Sequence, residues 1–314
     1  MFKLCSLVLC VLYASLWVHA QNILWQYQTG NSVSSSPAVL VWKGVWNGVV
    51  YVGSDDKSVY ALDATTGAKL WNFQTGGAVW SSPAVSNGVV YVGSLDRSVY
   101  ALNATTVAKI WSFQTGDYVI SSPAVVSGYY ISSGVVYIGS NDYNVYALDA
   151  ATGAKIWSFQ TGDRVQSSPA VSNGIVYVGS YDNSVYALNG VTGAKIWSFQ
   201  TGGAVWSSPA VSNGIVYVAS YDYSIYALTA ATGTKIWSYP IGYQMHSSPA
   251  VSNNTVYVGS DGNGLYALNA VTGDLIWNFG TGSYVSSSPA PSNGVIYVGS
   301  DNSVYALTAG MLTP

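Results

Sequence analysis

The strongest constraint on this chain is a beat of tryptophans. Trp25, Trp71, Trp111, Trp157, Trp197, Trp237 and Trp277 are separated by 46, 40, 46, 40, 40 and 40 residues. A period near 40 means that each unit buries its apolar face only against its neighbours, so the units must stack or circle. Within a unit the apolar residues alternate with a period of two, the mark of strands.

Residues 81–111, SSPAVSNGVVYVGSLDRSVYALNATTVAKIW, show the unit in full. Ser-Ser-Pro-Ala-Val reads as a first short strand, and Ser-Asn-Gly as a hairpin turn whose Asn-Gly suits positive φ. Val-Val-Tyr-Val-Gly-Ser reads as the second strand. A Ser-x-Asp turn leads to the third, Val-Tyr-Ala-Leu, and Lys-Ile-Trp-Ser-Phe-Gln is the fourth. Four short antiparallel strands repeated around a ring make the blades of a β-propeller, so the sequence predicts an all-β fold. The second-strand tyrosine occurs at Tyr51, Tyr91, Tyr137, Tyr177, Tyr217, Tyr257 and Tyr297, which sets seven blades. The last unit stops before a fourth strand, whereas residues 23–28, ILWQYQ, form an orphan one. A seven-bladed ring closed by the N-terminal strand follows, and removes an edge that invites aggregation.

Residues 1–20 stand outside the repeat. Lys3, an apolar run over 4–18 and small residues before Gln21 read as a secretory signal peptide, leaving residues 21–314 as the propeller. No stretch is apolar and long enough to predict a transmembrane helix. An exported chain is expected, secreted or periplasmic. Both cysteines, Cys5 and Cys10, fall in the leader, so no disulfide or cysteine-bound metal is expected in the mature chain. Only 7% of residues are charged and the net charge is −3, so no basic face tracks phosphates and nucleic acid is not an expected partner. The 49% apolar content and strict period point to a folded domain, not to a low-complexity chain.

Most repeated residues have a structural reading. A buried Trp removes about 150–250 Å² from water, worth about 4–6 kcal/mol before entropy, so the seven tryptophans are glue between blades. The repeated turn aspartates Asp56, Asp96, Asp142, Asp182 and Asp222 are expected to cap their own hairpins. Function is expected where the units differ. The residue before Ser-Ser-Pro runs Ser34, Trp80, Ile120, Gln166, Trp206, His246, Ser286 and should circle one mouth of the central channel. Trp80 and Trp206, on nearly opposite blades, with Gln166 and His246 between them, suit a flat or sugar-like ligand; large side chains plugging the channel are the alternative. The turns after the second strands add Lys57, Arg97, Tyr143, Tyr181, Tyr221 and Tyr223 on the same face, and Arg164 enters from a neighbouring loop. Insertions at 40–47 and 126–133 carry Trp42, Trp46, Tyr129 and Tyr130, a second candidate contact site. His246 is the one histidine beyond the leader and has no Glu or Cys to work with, so neither a catalytic set nor a metal site is predicted. Asn103 and Asn253 head glycosylation sequons.

Residues 61–71, ALDATTGAKLW, read A-x-D-x-x-T-G-x-x-x-W, and the pattern recurs in full at 147–157. This resembles the repeat of pyrroloquinoline quinone (PQQ)-type β-propellers, over the whole of the mature chain. Val107 replaces the turn glycine in the second unit, and Asn189, Thr229 or Asn269 replace the Asp in others. The resemblance implies the propeller fold and two kinds of activity. Quinoprotein dehydrogenases of the family use PQQ with calcium held partly by a Glu, an Asp base and adjacent cysteines; outer-membrane assembly lipoproteins of the family are not enzymes. This chain has no Glu, and no cysteine beyond the leader. The expected function is therefore a non-enzymatic binding or scaffold module that needs no cofactor and engages protein or carbohydrate partners through its aromatic loop face. A divergent oxidoreductase using PQQ and calcium, and a lectin-like propeller with several equivalent glycan sites, are the alternatives.

Overall fold

The computed structural model describes residues 24–40, 48–127, 134–262, 264–300 and 303–309. These contain strands and turns and no helix. Blade one is built from β1 (Ala38–Leu40), β2 (Val49–Gly53), β3 (Ser58–Asp63) and β4 (Lys69–Gln74), paired in that order and antiparallel throughout. Five further sheets repeat this plan, and the seventh holds three strands, Ala290–Ser292, Val295–Ser300 and Ser303–Thr308. The first strands lie innermost, and those of blades one to six each stand beside the first strand of the next blade. The all-β seven-bladed propeller is the fold of this chain.

The turns form for the reason their residues suggest. Asn87 and Gly88 take φ of 49° and 75°, and the same left-handed pair returns at Asn173/Gly174, Asn213/Gly214 and Asn293/Gly294, as a tight hairpin between right-twisted strands requires. Ser-Ser-Pro is not part of the first strand, which starts one residue after the proline. Its two hydroxyls do separate jobs instead. Ser35 Oγ accepts from Gly53 N at 2.8 Å and ties the segment to its own blade. The second hydroxyl accepts a backbone N–H from the preceding blade, as in Ser36 N to Ser82 Oγ at 2.9 Å and Ser82 N to Ser122 Oγ at 2.9 Å. The relay continues to Ser168, Ser208, Ser248 and Ser288, a belt of hydroxyls around the channel.

Blades one to five each grip the next through two aromatic donors that share one carbonyl. Trp197 Nε1 and Tyr177 Oη both donate to Ala230 O, at 2.9 and 3.1 Å, and the rings pack 5.8 Å apart. The pattern recurs with Trp71 and Tyr51 on Ala104 and with Trp237 and Tyr217 on Ala270. The indole lies over the turn glycine of the following blade: a Cβ on Gly233 would stand 2.6 Å from Trp197, so the glycine serves both its φ of 71° and the close approach. Val107 occupies that position in blade two at φ 60°.

The N-terminal segment stands where the seventh blade's outer strand would meet blade one. Trp25 Nε1 donates to Ala64 O at 2.9 Å, Gly67 lies beneath its ring, and Tyr27 packs on Tyr60 at 5.5 Å. Among the described residues this segment forms no ladder with Ser303–Thr308. Val304 is 70% exposed, whereas Val59 and Val99 at the same position are fully buried against the following blade, and Tyr297 and Val33 at this seam are 45% and 49% exposed. Among the described residues blade seven does not pack on blade one as the other blades pack on their neighbours, so the expected closure by an N-terminal strand is not seen. The leader, residues 1–20, lies outside the described residues.

Candidate functional site

The geometry of the channel mouth starts from a buried hydrophobic peg. Val79, Val119, Val165 and Val205 precede the mouth residues and are fully buried. Each lies against a glycine of the preceding blade's second strand, where a Cβ would come within 2.4–2.5 Å of the valine methyl. The peg fixes the loop between two blades and thereby aims the following residue at the channel. Met245 fills the equivalent place in blade six, opposite Ala219 in place of glycine.

The turn aspartate locks the same loop. Asp56 Oδ1 accepts from Ser58 N at 3.0 Å, which is the expected cap, while Oδ2 takes Tyr60 Oη at 2.7 Å and Gly30 N at 2.7 Å from the entering loop. The set recurs at Asp96, Asp142, Asp182 and Asp222. Burial pushes the Asp56 carboxyl up, but the donors on it outweigh that and hold it below the usual range.

Six of the seven residues before Ser-Ser-Pro converge as the sequence suggests. Ser34, Trp80, Ile120, Gln166, Trp206 and His246 line a cavity of about 400 Å³ at the channel mouth, together with Ser82, Ser168, Ser208, Ser248 and Ser288 of the hydroxyl belt. The two tryptophans are not equivalent. Trp80 is 42% exposed, whereas Trp206 is wedged between Tyr181 and Tyr221, each 5.9 Å away, and the edge of His246 at 5.1 Å.

The turn residues split into two sets that the sequence alone does not separate. Tyr181 and Tyr221 turn inward and pack on the mouth cluster, with Arg164 over the Tyr181 ring at 5.1 Å. Arg97, Tyr143 and Tyr223, two residues further along their turns, take left-handed φ of 70–74° and stand exposed on the rim, as Lys57 does. They do not line the cavity. Trp42, Trp46, Tyr129 and Tyr130 lie outside the described residues.

A polar second tier, absent from the sequence reading, supports the mouth. His246 Nδ1 is 2.9 Å from Asp261 Oδ2. Gln166 Nε2 donates to Asn141 Oδ1 at 3.1 Å while its Oε1 accepts from Tyr181 Oη at 3.1 Å, and Ser34 Oγ donates to Asp55 Oδ1 at 3.1 Å. Asp261 carries a sequence signal: the sixth unit reads Ser260-Asp261-Gly262 where the fifth reads Ser220-Tyr221-Asp222. The acid has moved one place, from the hairpin cap to the mouth. Burial raises the hydroxyls of Tyr181 and Tyr221 above the ordinary phenol range. Tyr221 Oη is buried and completes no hydrogen bond.

The arrangement offers aromatic planes, amides and hydroxyls on a rigid ring. Among the described residues no three His, Cys, Asp or Glu side chains come together as a metal site, and no helix is long and apolar enough to cross a membrane.

Comparison with known proteins agrees with this architecture. A family model described as outer membrane protein assembly factor BamB matches residues 18–158, 141–245 and 242–311. Among solved structures, BamB from Moraxella catarrhalis superposes with a TM-score of 0.76 at 21% identity, over 90% of this chain and 84% of that one. A computationally designed protein, Ika8, superposes with a TM-score of 0.59 at 19% identity, over 88% of this chain and 96% of that one. At these identities the two structures speak for the fold alone. No curated protein matches the chain. The successive family matches span the repeat from its first tryptophan to its last blade, and the chain belongs to the outer membrane protein assembly factor BamB family.

Proposed function

We propose that this chain is an exported, non-enzymatic scaffold that holds a protein partner against the loop face of its propeller. The observation that carries this reading is the distribution of exposed aromatics. Among the described residues, of the large aromatic side chains standing at least 42% exposed, Trp80, Tyr118, Tyr143, Tyr223, Tyr243 and Tyr284 lie in loops around the channel mouth, and Tyr297 alone lies elsewhere. Tyr and Trp concentrated on a rigid, weakly charged face suit protein contact, because they bring area and a polar handle at small entropic cost. Family membership supports the same reading, since the family is described as an assembly factor of outer membrane proteins. The signal-like leader supports export.

The residues at the mouth do not fit the calcium and quinone set of the enzymatic propellers. The carboxylates near it, Asp55 and Asp261, sit on blades one and six and are each tied to a neighbour. The Glu and paired cysteines are missing from the mature sequence.

The test is site-specific photo-crosslinking in the native cell envelope or culture fluid. A crosslinker at Tyr143 or Tyr243 should yield a discrete protein adduct, whereas one at Asn173, in a hairpin between first and second strands, should not. Replacing Tyr118, Tyr143 and Tyr243 together by Ala should cut partner capture at least tenfold, about 1.4 kcal/mol, with an unchanged melting temperature. Equal adducts from both positions, or full capture by the triple variant, would reject the loop face as the docking surface.

A further inference from the structure

We propose that the cavity at the channel mouth is a binding site for a neutral pyranose sugar, seated with one face on Trp206. This site lies inside the exposed rim, shares Trp80 with it, and does not depend on a protein partner being held there.

Size and lining come first. A cavity of about 400 Å³ falls within the roughly 300–1,000 Å³ of small-ligand sites. Its lining contains no Lys, Arg, Asp or Glu, and its one ionisable side chain, His246, is paired with Asp261, so no unpaired charge is there to hold an ion. The nearest acids, Asp55 and Asp261, stand behind the lining on Ser34 and His246. Their negative potential disfavours an anionic ligand and leaves a neutral one unaffected.

The aromatic plane is preformed. Trp206 is held by Tyr181, Tyr221 and His246 at centroid distances of 5.9, 5.9 and 5.1 Å, so a ligand does not have to order it. The π face carries negative potential. It therefore favours the polarised C–H groups that a pyranose presents on one face.

The polar groups match a polyol in kind. Sugar hydroxyls donate and accept at once, so their site must do both. Gln166 is oriented by Asn141 and Tyr181 through one bond on each end of its amide. One amide hydrogen and one oxygen lone pair remain for a ligand. His246 uses Nδ1 on Asp261, which leaves Nε2 as its second polar atom. Below them, the Oγ atoms of Ser168, Ser208 and Ser248 line the cavity and each accepts a backbone N–H from the preceding blade. With one of its two lone pairs used, each hydroxyl keeps its hydrogen and a second lone pair for a ligand. A floor of O–H donors beneath an amide and an imidazole suits the several oxygens of one sugar ring. An apolar peptide side chain would leave these groups unpaired.

The experiment is titration of the full mature chain with methyl β-glucoside, methyl N-acetyl-β-glucosaminide and maltose, followed by tryptophan fluorescence and saturation-transfer NMR, with glucuronate as the charged control. At least one neutral sugar should bind saturably and perturb the indole fluorescence, and glucuronate should bind at least tenfold more weakly. Trp206→Ala should weaken binding at least tenfold. Because that change also loosens the aromatic cluster, Gln166→Ala serves as the second variant: it keeps Trp206 and should likewise cost about tenfold with an unchanged melting temperature. Absence of saturable binding by all three neutral sugars, parental affinity in both variants, or equal affinity for glucuronate would each overturn the proposal. The titration contains no protein partner, so its failure leaves the rim assignment standing.

Discussion

Tyr217 and Tyr221 sit four residues apart and illustrate how position, not residue type, sets the worth of a hydroxyl. Tyr217 Oη donates to Ala270 O at 3.0 Å across a blade interface, whereas Tyr221 Oη is buried without a bond. Tyr217→Phe should cost about 1 kcal/mol, because Trp237 Nε1 still satisfies the shared carbonyl at 3.1 Å. Tyr221→Phe removes a buried polar atom that has no partner and should leave stability unchanged or raise it by about 1 kcal/mol. Thermal melts of the two variants check both signs; a loss in Tyr221→Phe as large as in Tyr217→Phe would mean that the Tyr221 hydroxyl is bonded after all. The same logic explains the mouth. Its residues vary freely because the peg valine, the turn aspartate and the serine belt beneath them carry the structure.

At the scale of elements, the blade is four strands whose outermost member is also the clasp to the next blade. That dual role makes the N-terminal segment decisive, since Trp25 is the indole that reaches blade one. Its partner across the seam, the strand Ser303–Thr308, shows what an unclasped edge looks like, with Val304 exposed. Trp25→Ala should therefore destabilise by about 3 kcal/mol, the low end for Trp to Ala, since Trp25 is only half-buried. Removal of residues 22–28 should go further and favour association of copies through the freed edge. Denaturant melts and sedimentation velocity would show both; a truncated chain that melts like the parent and stays monomeric contradicts the clasp. Residues 22 and 23 lie outside the described residues, so the substitution is the sharper probe.

For the whole molecule, stability is the sum of near-identical interfaces, and the interfaces are tyrosine-rich. Burial and neighbouring aspartates push Tyr100, Tyr186 and Tyr226 up to about 12, and burial alone does the same for Tyr217. In the unfolded chain these groups titrate near 10. Below that pH both states are protonated and the full stability is present; above it the unfolded state loses protons first, so stability falls until the folded values are passed. The melting temperature should therefore hold steady to about pH 10 and drop between about pH 10 and 12, with phenolate absorbance rising in the same cooperative step. A melting temperature that stays flat through pH 12 would contradict the interface assignment. With no cysteine beyond residue 10, reductant should leave the ring unchanged.

The repeat itself was enough to determine the fold. Alternation in Val-Tyr-Val, the Asn-Gly pairs and the tryptophan period are local or periodic signals, and each follows from chemistry within one unit or between identical neighbours. The ring of residues before Ser-Ser-Pro was legible for the same reason, because equal spacing puts equal positions at equal radius. What escaped was everything that depends on two unlike units meeting. Tyr181 and Tyr143 look alike in sequence, yet one turns to Trp206 and the other to solvent, since the left-handed φ at the Tyr143 position points that side chain outward. Asp261 reads as a displaced turn residue until blade six brings it to His246. The second serine of Ser-Ser-Pro reads as strand until its neighbour's backbone is found on its hydroxyl. Periodicity determines what every blade shares, because identical interfaces impose it. Only the closed packing of differing blades decides which side chains converge on the channel, because those contacts join residues that no single repeat contains.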